Sequence, residues 1–217
     1  MVEFIRRYEA RKGARHPVGM TAEYPNGKNN ALFSGPADWV SPNRDGGYDV
    51  APPPAKGDKV IVADTDHIWG IGGDRSWVWK SITRGLNILF MDPYDNEWMF
   101  PPRPESEASH WSELRRAIGY ARSYVEQLDL AALVPHGELA STGYCLADPV
   151  HGVYLVYAPL SHQTVAVSTN ASSGTLKAEW LEPATGKISR APDATMGSPV
   201  RLVSPYPEDS VLLLRAF

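Results

Sequence analysis

The run Val60-Ile61-Val62 constrains this chain most, because three β-branched residues with no charge among them make a strand that is buried on both faces. Such strands belong to parallel sheets whose faces are covered by crossover helices. Acid follows at once, as Asp64 and Asp66, then His67, Trp69 and the glycines Gly70, Gly72 and Gly73. In parallel α/β folds the carboxyl ends of strands carry the sites, since the loops there vary while the strands hold them still. A second apolar run, Asn87 to Met91, also ends in acid, at Asp92 and Asp95.

The surrounding segments supply the helices that parallel strands require. Asp74 is placed to cap a helix running to Arg84, with Trp77, Val78, Ser81 and Ile82 inward and Gly85 as its stop. From Glu107 to Leu128 a stripe of Trp111, Leu114, Ile118, Ala121, Val125 and Leu128 predicts a long helix. Upstream, Val2, Ile5 and Tyr8 have helical spacing before Gly13, and residues 16–24 read as a short strand ending at Glu23. A turn-rich stretch, Pro25 to Asn30, the segment Ala37 to Asn43 and a long Gly/Pro segment from Arg44 to Gly57 lead into the central strand. Three parallel strands are therefore expected, near residues 17–23, 60–65 and 87–92.

From Leu133 the grammar changes. Short strands at Val153–Tyr157, Thr164–Val167, Leu176–Trp180, Val200–Val203 and Val211–Arg215, with turn signals but no helices between them, predict an antiparallel β-sandwich. The expected organisation is α/β over residues 1–132 followed by all-β over 133–217.

Composition narrows the function classes. A formal net charge of -4 with scattered Lys and Arg argues against nucleic acid. No apolar run is long enough to span a membrane, and the segment from Met1 to Arg7 lacks the apolar centre of a signal peptide. A single cysteine, Cys145, excludes an internal disulfide and a cysteine-rich zinc site. Seven Trp and ten Tyr suit the stacking of sugar rings, although most are expected in the core.

The succession AEYPNG, ADWVSPN, VADTDHIWGIGGDRSWVWKS, RGLNILFMDPYD, RRAIGYARSYVEQLDLAAL and STGYCLADP resembles the C-terminal half of the apiosidase-like glycoside hydrolases. The stretches YLVYAP, LKAEWLEPATGKIS and VLLLRAF are similar to the small sandwich of that family, which carries a collagen-binding label. The resemblance implies a partial (β/α)8 barrel, about its last three strands, with a C-terminal antiparallel β-sandwich. It implies hydrolysis of O-glycosidic bonds in polysaccharide, with full-length relatives secreted or periplasmic, and no cofactor. Val60–Ala63 then takes the place of the seventh strand, where such barrels carry the nucleophile, and Asp64 stands in that position. A retaining hydrolase needs two carboxyl groups about 5–5.5 Å apart, and the acid normally comes from an earlier strand. The chain alone is thus expected to be inactive, and its open sheet to self-associate or require a covering partner.

The expected substrate contacts are Glu23, Tyr24, Asp38, Trp39, Asp66, His67, Trp69 and Asp92. Asp66 and His67 read first as a hydrogen-bonded pair that orients Asp64 or a sugar hydroxyl. Three donors within four residues of irregular chain is a weak metal pattern, and no metal is expected. Trp77 reads as core, and Asp92 and Asp95 equally as loop caps. The alternative function is a non-catalytic module that binds polysaccharide or, as the label implies, collagen. A third is a sandwich that only buttresses the barrel.

Overall fold

The computed structural model describes residues 1–23, 27–68, 72–92, 105–169, 174–197 and 199–216. Four strands, β1 (Gly19–Thr21), β2 (Trp39–Ser41), β3 (Val60–Asp64) and β4 (Asn87–Leu89), form one sheet in the order β1-β2-β3-β4, with every neighbouring pair parallel. Helix α1 (Val2–Ala10) precedes the sheet, α2 (Asn29–Ser34) crosses from β1 to β2, α3 (Arg75–Thr83) from β3 to β4, and α4 (Glu105–Val125) follows.

The sequence leads one to expect three parallel strands, and there are four. Trp39–Ser41 is only three residues long and is closed by Pro42, too short for an alternating pattern to register. It is a strand because the backbones of β1 and β3 pair with it on both sides. Asp74 caps α3 as its position suggests, its carboxylate accepting the Trp77 N–H at 2.7 Å. Trp77 is core, 2% exposed, and its indole N–H donates to the Tyr48 carbonyl at 2.8 Å. That bond ties the long segment between β2 and β3 to α3.

Alternation assigns the two faces of this sheet. Val40, Ile61 and Ala63 point to the helices and are buried with Leu32, Trp77 and Val78. Trp39, Ser41, Val60, Val62, Asp64 and Leu89 point the other way, onto a face that no helix covers among the described residues.

The remaining strands are β5 (Val134–Pro135), β6 (Cys145–Asp148), β7 (Val153–Ala158), β8 (Thr164–Val167), β9 (Thr175–Glu182), β10 (Lys187–Thr195), β11 (Val200–Val203) and β12 (Ser210–Ala216). Six form an antiparallel sheet in the order β10-β9-β12-β7-β6-β5, and β11 pairs with β8 alone. β5, β6 and β10 are additions to the expected set. β10 is a polar edge strand whose register shifts between Ala191 and Ala194, around Pro192, so it carries no apolar rhythm.

Both faces of the six-stranded sheet are buried, which explains the unbroken run Val211–Leu214. Leu212 and Leu214 join Tyr154, Val156 and Trp180 in a cluster closed by Val165, Val167 and Val200 of the two-stranded sheet. Val211 and Leu213 join Leu155, Tyr157 and Leu181 in a second cluster with Trp79, Leu114, Ala121 and Tyr124 of α3 and α4. Each such side chain contributes about 1.5–3 kcal/mol by leaving water. Polar links reinforce this contact: Arg75 Nε donates to Asp209 at 2.9 Å, the Tyr157 hydroxyl donates to Asp209 at 3.0 Å, and the Tyr124 hydroxyl donates to Glu179 at 2.9 Å.

Candidate functional site

The open face of the parallel sheet bounds a cavity of about 720 Å³, lined by Thr21, Trp39, Ser41, Val60, Val62, Asp64, His67 and Leu89, with Arg15, Pro17 and Asp38 at its other end. Its walls are mostly apolar, and Ser41, Asp64 and His67 gather at the carboxyl ends of β2 and β3. There the chain leaves β3 in a tight turn: the Asp64 carboxylate accepts the Asp66 N–H at 3.1 Å, and residues 66–68 wind into one turn of 3-10 helix. Thr65, fully buried, accepts the Met91 N–H on its hydroxyl at 3.0 Å and donates its own N–H to the Leu89 carbonyl, locking this turn to β4. Asp64 is thus held on a rigid strand end, 8% exposed and facing the cavity.

His67 is fixed by two neighbours on the adjacent strand. Its Nδ1 lies 3.0 Å from the Ser41 hydroxyl and 3.2 Å from the Pro42 carbonyl oxygen. A carbonyl can only accept, so the contact with Pro42 makes Nδ1 the donor. Asp66 does not partner His67 as the sequence suggests. The turn points its exposed side chain away from the cavity lining.

The other expected contacts separate into two groups. Trp39 lines the cavity, with its indole laid across Gly19 of β1: a Cβ on Gly19 would meet the ring at 1.9 Å. Glu23 follows β1 at the same edge as Asp64, exposed and outside the cavity lining. Asp38 precedes β2 and therefore sits at the opposite edge of the sheet. Its carboxylate accepts from Arg6 at 2.7 Å and from the Val18 N–H at 2.8 Å, which together hold it below the ordinary aspartate range, the Val18 bond contributing most. That is the bonding of a group that anchors α1, and Asp38 also lines the cavity from that edge. Asp92 is paired with Arg115 of α4, which reaches it through Nε at 2.7 Å and a terminal nitrogen at 2.5 Å and clamps the segment after β4 to that helix. Tyr24, Trp69 and Asp95 lie outside the described residues.

Ser41, Thr65 and Arg15 belong to this region and were not legible as site residues. Arg15 lines the cavity from an irregular segment, and Ser41 depends on a strand that the sequence hides. Among the described residues no group of three His, Cys, Asp or Glu side chains is gathered as a metal site would be, and no helix is long and apolar enough to cross a membrane.

No protein-family model and no curated protein sequence matches the chain. Among solved structures it is similar to a glycoside hydrolase family 5 protein from Bacteroides vulgatus ATCC 8482, at 12% identity and a TM-score of 0.53, over 74% of this chain and 42% of that one. It is also similar to a second solved glycoside hydrolase, at 11% identity and a TM-score of 0.52, over 86% of this chain and 44% of that one. The fold is glycoside hydrolase-like. The chain spans less than half the length of either structure. Residues 1–132 make up only about three-fifths of the sequence, so both alignments extend into the antiparallel half.

Proposed function

We propose that this chain is the C-terminal portion of an apiosidase-like glycoside hydrolase: residues 1–132 are part of a (β/α)8 barrel and residues 133–217 a small β-sandwich that buttresses it. Its substrate is a polysaccharide or oligosaccharide, cleaved at an O-glycosidic bond. The observation that carries this reading is Asp64, a carboxylate held at the carboxyl end of a parallel strand, facing the same cavity as the His67 ring and the Trp39 indole. Apolar walls with a few convergent polar groups suit a sugar ring, whose faces stack on aromatics while its hydroxyls seek carboxylate and imidazole.

In this reading Asp64 is the nucleophile, His67 and Trp39 contact the sugar, and Ser41 and Pro42 orient His67. Glu23 and Asp66, which follow β1 and β3 at the same sheet edge, extend the proposed substrate surface beyond the cavity, and Tyr24 and Trp69 are proposed as further contacts from their sequence positions. Retaining hydrolysis needs a second carboxyl group within about 5–5.5 Å to protonate the leaving oxygen, and no other carboxylate lines the cavity at this end among the described residues. One copy is therefore expected to bind glycan without turning it over. The buttress role rests on the double burial of the six-stranded sheet, which leaves neither of its faces as a groove for a collagen helix.

Titration with oligosaccharides from plant and microbial polysaccharides, followed by Trp fluorescence, tests the site. Binding should weaken at least tenfold in Trp39→Ala and Asp64→Ala, a loss of about 1.4 kcal/mol. Glycan binding indifferent to both substitutions would overturn the assignment, as would reducing-sugar release that persists in Asp64→Asn.

A further inference from the structure

We propose that Asn29, which lies outside the cavity lining, is a positioning residue for His67. It aims the Pro42 carbonyl at the imidazole and so keeps the ring hydrogen on Nδ1, leaving Nε2 to the cavity as a hydrogen-bond acceptor. Only the use of Nε2 for a sugar hydroxyl rests on the proposed glycan site.

The ground is one peptide group held from both sides. The Pro42 carbonyl and the Asn43 N–H belong to a single planar unit. Its oxygen accepts from His67 Nδ1 at 3.2 Å, and its N–H donates to Asn29 Oδ1 at 3.0 Å. Upstream, β2 is paired on both sides, and the proline ring fixes φ near about −65°. The direction of the carbonyl therefore depends on the Pro42 ψ angle alone. The Asn29 bond sets that angle, because turning the plane breaks the contacts at both of its ends.

The rest of the Asn29 carboxamide is committed to the same segment. Both of its hydrogens are used, by the Asn43 carbonyl at 3.2 Å and the Asp45 carbonyl at 2.7 Å. Asn43 returns the tie: its amide donates to the Gly27 carbonyl at 2.7 Å, and its side-chain oxygen accepts the Asp45 N–H at 3.0 Å. Asn29 opens α2, so these bonds buckle the connection after β1 to the one after β2, at the edge of the sheet where Asp64 and His67 stand.

Two neighbours act on Nδ1, and they are not equivalent. The Ser41 hydroxyl, 3.0 Å away, serves either form of the ring, since it donates as well as accepts. The carbonyl serves only a ring with its hydrogen on Nδ1, and in a neutral imidazole the other nitrogen is then an acceptor. Nε2 has no hydrogen-bond partner among the described residues. The Asp64 carboxylate, on the same cavity, accepts as well. A rim of two acceptors selects a ligand that brings donors, as sugar hydroxyls do, and disfavours a ligand carboxylate at that place.

Nitrogen NMR of the six histidine rings in the 217-residue chain reads the hydrogen directly. At about pH 8 an ordinary imidazole, with a pKa of about 6.5, is neutral. The His67 ring, identified by the signal lost in His67→Gln, should carry its hydrogen on Nδ1. Asn29→Ala should turn that signal into a mixture of the two forms, with the circular dichroism spectrum retained. It should also weaken oligosaccharide binding about fivefold, the share of one neutral hydrogen bond. Asn30→Ala, at the next and exposed position of α2, should move neither. Ser41→Ala removes the ambivalent neighbour and keeps the carbonyl, so the hydrogen should stay on Nδ1; this variant keeps the proposal open to refutation even where Asn29→Ala does not fold. A parent ring with its hydrogen on Nε2, a His67 signal unchanged in Asn29→Ala, a transfer to Nε2 in Ser41→Ala, or binding unchanged while the ring moves would each overturn the proposal. Ring signals as expected with no oligosaccharide bound would overturn the sugar site and leave Asn29 as the residue that sets His67.

Discussion

Asp209→Ala tests how the antiparallel half holds the α/β half. Asp209 is 7% exposed and accepts from Arg75 Nε at 2.9 Å, from a terminal nitrogen of Arg75 at 2.8 Å and from the Tyr157 hydroxyl at 3.0 Å. Burial first, and then the charge of Asp209, push the Tyr157 phenol up, so that hydroxyl stays protonated and needs an acceptor at every ordinary pH. Removing the acceptor strands a fully buried donor, at about 1–3 kcal/mol. Arg75 loses less: about a third exposed, it still holds Glu208 at 2.5 Å, so its share is discounted to about 1 kcal/mol. The expected total is about 2–4 kcal/mol, below the roughly 3–5 kcal/mol of a fully enclosed broken pair and a large part of the roughly 5–15 kcal/mol that holds a domain. Urea unfolding followed by Trp fluorescence reads it directly. Tyr157→Phe combined with Asp209→Ala should cost less than the two apart, because the phenylalanine removes the stranded donor. The exposed pair of Arg190 and Asp193 is the control, and Asp193→Ala should stay within about 0.5 kcal/mol. A loss below about 1 kcal/mol for Asp209→Ala, or strict additivity with Tyr157→Phe, would refute the reasoning.

Two further outcomes follow from titration. Burial pushes the Cys145 thiol up to about 12, so the native chain should resist a thiol reagent at mildly alkaline pH and label only as fast as it unfolds; labelling at the rate of a free thiol would contradict the burial of β6. Asp38 is held below its ordinary 3.8 by the Val18 N–H and by Arg6, so its stabilisation is present above that value and is lost as the pH falls through the depressed one. The acid limb of the stability curve should therefore be shallower in Asp38→Asn than in the parent chain, and equal limbs would remove Asp38 from the α1 anchor.

The sequence is most legible where one residue type has one physical use. The charge-free run at Val60, the cap at Asp74 and the stripe from Trp111 to Leu128 each needed no partner to be read, and each appears in the structure as β3, α3 and α4. β2 is not legible, because three residues ending at a proline become a strand only when neighbours on both sides pair with them. The acidic residues cannot be told apart locally for the same reason. Asp38, Asp64 and Asp92 all stand next to strands, and what separates them is long-range: Arg6 and Val18 bind the first, at the amino edge of the cavity, Arg115 binds the third, and the second faces the cavity at its carboxyl end. No local pattern around Asp92 points to an arginine 23 residues away on α4.

The placement of Gly19 and Trp39 carries the reading of the cavity one step further. Were the uncovered face only an unfinished core, the inward position on β1 would suit a large side chain, since interiors are packed to the density of organic crystals. Gly19 stands there instead, and its missing Cβ is what allows the Trp39 indole to lie flat against the strand, where any larger residue would meet the ring at 1.9 Å. The ring also lines the cavity that Asp64 and His67 line. The strand thus gives up volume to present an aromatic surface, an exchange that favours a flat ligand over aliphatic filling. In the proposed function that flat ligand is a sugar ring, with the Asp64 carboxylate and the His67 imidazole at the rim of the face that holds it.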